Sequence, residues 1–281
     1  AEVSYHGFRS IAWITPAGET LKEESAMGWT MVRQSRESAM QMPSGRAAPD
    51  LVFSAAIPAN ISLRNPRAVR FMRAELTGAD FGTLSLATDR QRVEGPDSGI
   101  VEVRAEKPDP HAAPALPIST PALRPYLIPE ALVQSDHPAI IAAARQAVGS
   151  ETNAWKAAVR IGRWVNRTVT KSPTLSIPSA LDVLQTRQGD CNEHTILFVA
   201  LARAVGIPAE ICAGIVYLND SFFYHAWPRV WVGQWVSMDP TFGQDVADAT
   251  HIEFVRGGLE RQAEILRLVG RLQVRIIRTQ P

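Results

Sequence analysis

The chain contains 281 residues, of which 46% are hydrophobic and 20% are charged, and its formal net charge at pH 7 is +1. This length favours two domains, each long enough to bury a hydrophobic core. The balanced charge argues against a protein dedicated to nucleic acids or membrane surfaces. No stretch of about eighteen apolar residues occurs, so the sequence predicts no integral membrane segment.

The ends of the chain and its two cysteines bear on its location. Two cysteines argue against a disulfide framework. The sequence begins at Ala1 rather than at a methionine, which is compatible with a processed N-terminus or with a fragment of a longer protein. We favour a periplasmic or cell-envelope location over a cytoplasmic one. The sequence contains no signal for an oligomeric state or for a bound cofactor.

Residues 1–106 are predicted to form a β-rich accessory domain, similar to a β-sandwich, that packs on the rest of the chain or restricts access to it. Residues 8–14 and 19–22 flank Pro16-Ala17-Gly18, a pattern typical of a hairpin. Further half-buried strands are indicated by alternating apolar residues, at 61–63, 69–76 and 100–104.

Residues 107–129 contain seven prolines, a spacing that excludes an α-helix and predicts a semi-extended linker. The prolines are Pro108, Pro110, Pro114, Pro117, Pro121, Pro125 and Pro129.

Residues 130–281 are predicted to form the second domain, which begins with helices. His137 precedes Pro138 as a capping residue, a second helix covers about 153–169, and Ser179 caps a short third helix. Beyond the middle of this domain we expect a strand near 248–252, an amphipathic helix at 259–268 and a last strand at 272–277.

The most informative stretch is residues 188–205, in which a polar segment runs directly into an apolar helix. Asp190 and Glu193 have the spacing of a capping box, an N-cap oxygen followed three residues later by a carboxylate. Cys191 is then the first helical residue, where unpaired N–H groups and the helix dipole stabilise a thiolate. The helix is apolar on nearly every face, which predicts burial, and Gly206 is its expected left-handed cap.

Residues 224–240 predict a β-hairpin that brings a histidine and an aspartate together. Aromatic and β-branched runs flank Gly233-Gln234, with His225 opening the first strand and Asp239 closing the second. A base beside a nucleophile, oriented by a third group, is the general triad arrangement. A two-residue turn would put His225 and Asp239 on opposite faces. We therefore predict an odd-numbered loop or a bulge.

Four segments together resemble the bacterial transglutaminase-core enzymes of the transglutaminase-like superfamily, which are papain-like thiol enzymes. The strong resemblance covers about residues 179–256. The segments are Gly-Asp-Cys at 189–191, Leu-Ala-Arg-Ala-Val-Gly-Ile-Pro-Ala at 201–209, His-Ala-Trp at 225–227 and Trp-Val-Ser-Met-Asp-Pro-Thr at 235–241.

The resemblance implies an α+β fold in which a buried, cysteine-bearing helix packs on an antiparallel sheet, preceded here by the β-rich domain. It implies that Cys191 is the nucleophile, His225 the general base and acid, and Asp239 the orienting partner of the histidine. Trp227 is expected to support this group from beside the histidine. The same resemblance implies no cofactor.

Two positions depart from the pattern of the family. Relatives often carry an acidic residue where Arg229 stands, and many carry an aromatic residue near 169–171, where this chain has Val-Thr-Lys. In transglutaminases proper an upstream aromatic residue helps to stabilise the oxyanion, so the resemblance leaves crosslinking activity in doubt.

Other interpretations of the candidate residues were weighed. An isolated cysteine is more often a small buried apolar residue, and Cys212 fits that description. Cys191, His194 and His225 could ligate a metal, but only the first two are closely spaced, as zinc ligands usually are. We predict no metal site, and we expect His194 to form hydrogen bonds near the thiol. His251 is interpreted as a structural residue at a strand end.

The predicted chemistry is acyl transfer. The Cys191 thiolate attacks an amide carbonyl of a peptide or protein substrate, and His225 protonates the departing amine. Water then releases the product in a protease or amidase, whereas a lysine amine does so in a crosslinking enzyme. Gln188 is the candidate oxyanion donor, and an ordinary loop residue is its alternative. Hydrolysis is favoured over crosslinking and over a catalytically silent binding protein.

Overall fold

The chain divides into two compact units, residues 1–51 and 52–281. The first unit contains an antiparallel sheet of β1 (Glu2–Tyr5), β2 (Phe8–Ile14), β3 (Thr20–Glu24) and β4 (Thr30–Val32), in that order. The pairing of β2 with β3 confirms the predicted hairpin. The computed structural model describes residues 2–5, 8–24, 30–35, 56–81, 84, 86–95, 99–172, 179–258, 261 and 263–281.

The helices of the second unit begin where the sequence predicts. His137 and Asn153 accept hydrogen bonds as N-caps of the first two helices, and Ser179 does so for the third. The fourth helix carries Cys191 and is buried along most of its length. These helices are α1 (Pro138–Val148), α2 (Ala154–Thr168), α3 (Ala180–Thr186) and α4 (Cys191–Ala204).

The helices pack on an antiparallel sheet, as the resemblance implies. Helix α4 lies against β11 (Ala209–Leu218) and β12 (Ser221–Trp231). Thr195 Oγ1 on this helix donates a hydrogen bond to the carbonyl of Ala226 at 3.1 Å. The strand order is β13 (Trp235–Ser237), β12 (Ser221–Trp231), β11 (Ala209–Leu218) and β14 (Ile252–Arg256), and β5 (Ile57–Pro58) pairs with the beginning of β12.

A second antiparallel sheet joins early and late parts of the chain. Its order is β15 (Gln273–Gln280), β6 (Phe71–Thr77), β8 (Ile100–Arg104) and β7 (Gln91–Val93). Its apolar residues share one core with those of the sheet that contains β11 and β14. Val103 and Ile276, for example, belong to the same core as Ile215 and Phe254.

The division of the chain at 51/52 differs from the predicted boundary at 106/107. Strand β15 completes the sheet that contains β6 and β8, so residues 71–104 belong to the same unit as the helices. The predicted strand at 61–63 is wrong, because those residues form bends and irregular backbone, and the nearby strand is β5.

The proline-rich segment 107–129 packs into the second unit rather than spanning two domains. The N–H of Ile118 donates to the carbonyl of Gly206 at 3.0 Å, and Leu116 donates to Thr152 at 2.7 Å. Ile118 and Leu123 are buried in the core formed by the helices. As predicted, the segment contains no α-helix; it has one 3-10 helix, Pro121–Tyr126.

Two late elements differ from their predictions in position or type. The strand expected near 248–252 is β14, which starts at Ile252. Part of the helix expected at 259–268 lies outside the described residues, and the described part is a 3-10 helix, Ala263–Leu268. The last strand is confirmed as β15. Among the residues described, none of the helices is both long and apolar enough to cross a membrane.

Candidate active site

Cys191 occupies the first turn of α4 and is partly exposed. The predicted capping box is confirmed: Asp190 Oδ1 accepts from the Asn192 N–H at 3.0 Å, and Glu193 Oε2 accepts from the Asp190 N–H at 2.8 Å. Gly189 makes this packing possible, since a Cβ at that position would lie 2.2 Å from Cβ and Cγ of Glu193. The local sequence therefore fixes the thiol at a positively polarised helix end.

The hairpin that carries His225 has the odd-numbered loop that the sequence predicts. Strand β12 pairs with β13 through Trp231 and Trp235, which leaves residues 232–234 as a three-residue loop. In this register the side chains of His225 and Asp239 lie on the same face. His225 Nε2 is 2.9 Å from Asp239 Oδ2.

The histidine and its carboxylate are buried and electrically coupled. Burial by itself would lower the pKa of His225, but the Asp239 carboxylate and the nearby Cys191 sulfur raise that pKa to about 9. Burial would raise the pKa of Asp239, but the two histidines that contact it hold that pKa well below its usual range. The arrangement thus favours a charged pair of imidazolium and carboxylate beside the sulfur.

Aromatic rings hold the imidazole of His225 in place. The ring of Phe242 is stacked on it with centroids 5.0 Å apart, and the ring of Trp227 is stacked at 6.1 Å. Trp227 is fully buried and also meets His251 edge-on at 5.1 Å. Trp227 therefore lies where the sequence placed it, beside the histidine.

A second histidine contacts the same aspartate, and the sequence interpretation did not assign it to the site. His251 Nε2 lies 3.0 Å from Asp239 Oδ2, and its Nδ1 lies 3.1 Å from the carbonyl of Asp248. Arg67 Nη1 donates to Asp248 Oδ2 at 2.8 Å, and its guanidinium lies 4.4 Å from the ring of Phe242. No local pattern signals these contacts, because Arg67 and Asp248 are 181 residues apart.

His194 and Gln188, the other candidates from the sequence, differ in their surroundings. His194 is buried in the first turn of α4, with Nδ1 2.6 Å from the carbonyl of Asp190. Burial lowers its pKa, and the charge of Asp239 acts in the opposite direction. Gln188 is exposed and lies in β10 (Gln188–Gly189), which pairs in parallel with β9 (Thr170–Lys171). An oxyanion role for Gln188 stays a prediction.

The described residues that cluster as possible metal ligands are His225, Asp239 and His251, whose ligand atoms lie within 4.8 Å of one another. This set differs from the set of Cys191, His194 and His225 weighed from the sequence. Nε2 of His225 and Nε2 of His251 both already contact Asp239 Oδ2. The structure therefore shows a hydrogen-bonded cluster of histidine, aspartate and histidine.

Comparison with known proteins shows which sequences the chain is similar to. Residues 141–240 match the sequence model of the transglutaminase-like superfamily. An uncharacterised protein of Mycobacterium leprae, ML0607, is 25% identical over 118 residues, which are 38% of this chain and 42% of that protein. The match thus spans less than half of the length of that relative.

Two solved structures are similar to this chain at low sequence identity. A protein of Cytophaga hutchinsonii described as a candidate cysteine protease is 19% identical, with a TM-score of 0.50 over 73% of this chain and 82% of that one. The periplasmic domain of TgpA from Pseudomonas aeruginosa, bound to ethylmercury, is 16% identical, with a TM-score of 0.44 over 67% of this chain and 89% of that one. The first of these likenesses concerns the fold alone.

Proposed function

We propose that the protein is a cysteine hydrolase, a peptidase or amidase that cleaves amide bonds through a thioester. The proposal starts from the match of residues 141–240 to the transglutaminase-like superfamily. The observation that carries the proposal is the position of His225, whose Nε2 lies 2.9 Å from Asp239 Oδ2 and whose ring is close enough to the sulfur of Cys191 for that sulfur to raise the pKa of His225. A nucleophile, a base and an orienting group are thus gathered at one site.

The first half of the reaction uses the ion pair directly. Nε2 of His225 faces Asp239, so Nδ1 is the nitrogen left for Cys191. The thiolate forms a bond to the carbonyl carbon of the amide, and the carbonyl oxygen becomes an oxyanion. The Nδ1 proton of His225 passes to the amide nitrogen, the C–N bond breaks, and an amine leaves.

The second half regenerates the enzyme. Water loses a proton to His225 and attacks the thioester carbon. The C–S bond then breaks, so that a carboxylic acid leaves and the Cys191 thiolate returns beside the His225 imidazolium. Asp239 stays ionised throughout, because its pKa lies well below its usual range.

We place the oxyanion at the N-terminus of α4. The N–H of Cys191 belongs to the first helical turn, whose N–H groups have no acceptor within the helix, and Gln188 is the proposed second donor. Gln188→Ala is expected to lower kcat about tenfold or more with little change in KM. Unchanged turnover in that variant would exclude the role of Gln188 without affecting the role of Cys191.

The segment next to the cysteine loop supports hydrolysis over amine transfer. Strand β9 pairs with β10, so residues 170–171 lie alongside Gln188-Gly189, the segment that leads into Cys191. Val169, Thr170 and Lys171 stand here where many relatives carry an aromatic residue. The oxyanion support expected of a crosslinking enzyme is missing from these positions.

The test is a competition between water and an amine. The protein is incubated with a defined peptide mixture and a glutamine-rich protein, in the presence of a labelled primary amine, and products are read by mass spectrometry. We expect cleaved or deamidated products, an acid-stable acyl adduct on the Cys191 peptide that hydroxylamine removes, and no turnover by Cys191→Ala. Preferential incorporation of the amine would instead show a crosslinking enzyme.

The cellular setting of this reaction is proposed from the sequence alone. A peptide or protein substrate is the partner that the chemistry requires, and we propose a periplasmic or cell-envelope location. Fractionation of the natural host followed by immunodetection tests the location, and recovery of the protein only with cytoplasmic markers would contradict it.

A further inference from the structure

His251 is a completely buried histidine that contacts the same oxygen of Asp239, Oδ2, as His225 does. It immediately precedes β14 and has no exposed surface. Its ring meets His225 with centroids 5.7 Å apart, and the edge of Trp227 packs against it. A buried imidazole in this position needs a partner for each polar nitrogen.

Both ring nitrogens of His251 face groups that only accept hydrogen bonds. Nδ1 lies 3.1 Å from the backbone carbonyl of Asp248, and 3.5 Å from its Oδ1. Nε2 lies 3.0 Å from Oδ2 of Asp239, which the depressed pKa keeps ionised. A neutral histidine carries one N–H and would place a bare nitrogen against one of these oxygens. The contacts are satisfied together only when both nitrogens carry protons.

The surrounding charges are consistent with an imidazolium at this position. Asp239 and Asp248 raise the pKa of His251 against the effect of burial. Arg67 and the amide of Gln244, Nε2 to Oδ2 at 3.0 Å, both donate to Asp248. The charges therefore alternate along a chain of contacts. The cations are Arg67, His251 and His225, and the anions between them are Asp248 and Asp239.

We propose that His251 is a permanently protonated positioning residue that holds Asp239 and limits how strongly Asp239 retains the proton on His225. This inference rests on the proposed function for its catalytic consequence. Asp239 Oδ2 divides its negative charge between two imidazolium groups, and Oδ1 accepts from the Phe242 N–H at 3.0 Å. A carboxylate facing His225 alone would bind that proton more tightly, and a general acid works best when it can release its proton near the working pH.

The first test observes the protons of His251 without any substrate. Two-dimensional NMR of the ¹⁵N-labelled wild-type protein distinguishes a doubly protonated imidazole from either neutral tautomer. His251 is assigned from the signal lost in His251→Gln, or in His251→Asn if the first variant does not fold. We expect both nitrogens to be protonated from pH 6 to pH 9. The inference would be overturned if only one nitrogen of His251 carried a proton. It would also be overturned if a bound divalent metal left Nε2 of both His225 and His251 without protons.

The second test reads the charge on His225 through the chemistry of Cys191. Iodoacetate is an anion and is attracted by the imidazolium, whereas iodoacetamide is neutral, so the ratio of their alkylation rates falls when His225 loses its proton. The midpoint of that fall is expected near pH 9 in the wild type. His251→Gln keeps an N–H donor but removes the positive charge, so Asp239 should hold the proton on His225 more tightly. The midpoint should therefore move upward by about one pH unit in this variant.

Matched controls separate this effect from a general loosening of the fold. His137→Gln, at the N-cap of α1 and far from the site in the chain, should leave the midpoint unchanged. An unchanged midpoint in a folded His251→Gln protein would refute the electrostatic role. Neither measurement needs turnover, so a protein that cleaves no peptide but shows the shift refutes the proposed function and not this inference. A protein that cleaves peptides but has a neutral His251 supports the proposed function and refutes this inference.

Discussion

The hydroxyl of Thr195 donates a hydrogen bond to the carbonyl of Ala226, joining the cysteine-bearing helix to the histidine-bearing strand at 3.1 Å. Thr195 is four residues after Cys191, and Ala226 directly follows His225. Both groups are buried, so the bond joins the helix turn that follows Cys191 to the backbone next to His225. The distance between Cys191 and His225 thus depends on a contact that neither residue makes itself.

Replacing Thr195 with valine should loosen this connection. Thr195→Val keeps the shape of the side chain but leaves the carbonyl of Ala226 without this donor, so the free energy of unfolding should fall by about 1–2 kcal/mol. Urea denaturation measures the change, with Thr195→Ser as the control that retains the hydroxyl. Equal stability of the valine and serine variants would contradict the structural role of the bond.

Gly189 should tolerate alanine poorly, since the new Cβ would overlap Glu193. Gly95 is the matched control, because it also has a positive φ but has nothing within 4 Å of the added atom. We expect Gly95→Ala to cost about 1 kcal/mol and Gly189→Ala to cost at least about 2 kcal/mol more, through strain. Thermal unfolding of the two variants tests this, and equal costs would mean that the capping box readjusts freely.

Arg229 departs from the family pattern and should stabilise the fold. Its Nη1 donates to Asp89 at 2.6 Å, its Nε donates to Glu210 at 2.5 Å, and its guanidinium covers the ring of Trp235. Arg229→Met leaves the largely buried Glu210 without its cation and should cost about 3 kcal/mol.

The control for this charge effect is an exposed ion pair. Arg163 donates to Asp245 at 2.6 Å but is mostly exposed, so Arg163→Met should change the unfolding free energy by less than about 1 kcal/mol. Denaturation of both variants in parallel makes the comparison. A loss at Arg229 as small as the loss at Arg163 would show that the network contributes little.

The stability of the protein should fall with rising pH because of His225. Its pKa is about 9 in the folded protein and about 6.5 in an unfolded chain, so the folded state binds the proton more tightly. The resulting stabilisation is complete below about pH 6.5 and disappears as pH rises through 9. Between pH 6 and pH 9.5 the free energy of unfolding should fall in the wild type. In His225→Gln the fall should be smaller by on the order of 3 kcal/mol. Equal differences would argue against the buried ion pair.

The parts of the site that follow from the sequence are those encoded by local spacing. The capping box of Asp190 and Glu193 spans only four residues, and an odd-numbered loop or a bulge follows once His225 and Asp239 are required on one face. The caps of α1, α2 and α3 are equally local. Such features depend on neighbours in the chain, so their residue types reveal them.

The parts that escaped prediction depend on distant segments. His251 and Arg67 reach the site through turns and strand pairings that no periodic pattern encodes, and Arg67 comes from a segment interpreted as part of an accessory domain. The same reason explains the domain boundary: β15 pairs with β6 across roughly two hundred residues of chain. Alternation predicts that these segments are strands, but it does not predict their partners.

The measurement that tests the central claim most directly is the alkylation rate of each cysteine against pH, read by peptide mass spectrometry in the wild type and in His225→Ala. Cys212 is an internal reference, since it is completely buried and burial raises the pKa of its thiol well above the usual range. We predict that Cys191 reacts at least about a hundredfold faster than Cys212 at pH 6–7, and that removing His225 abolishes most of this advantage. If Cys191 is as inert as Cys212, or if it reacts equally well without His225, the proposed pair of thiolate and imidazolium does not exist.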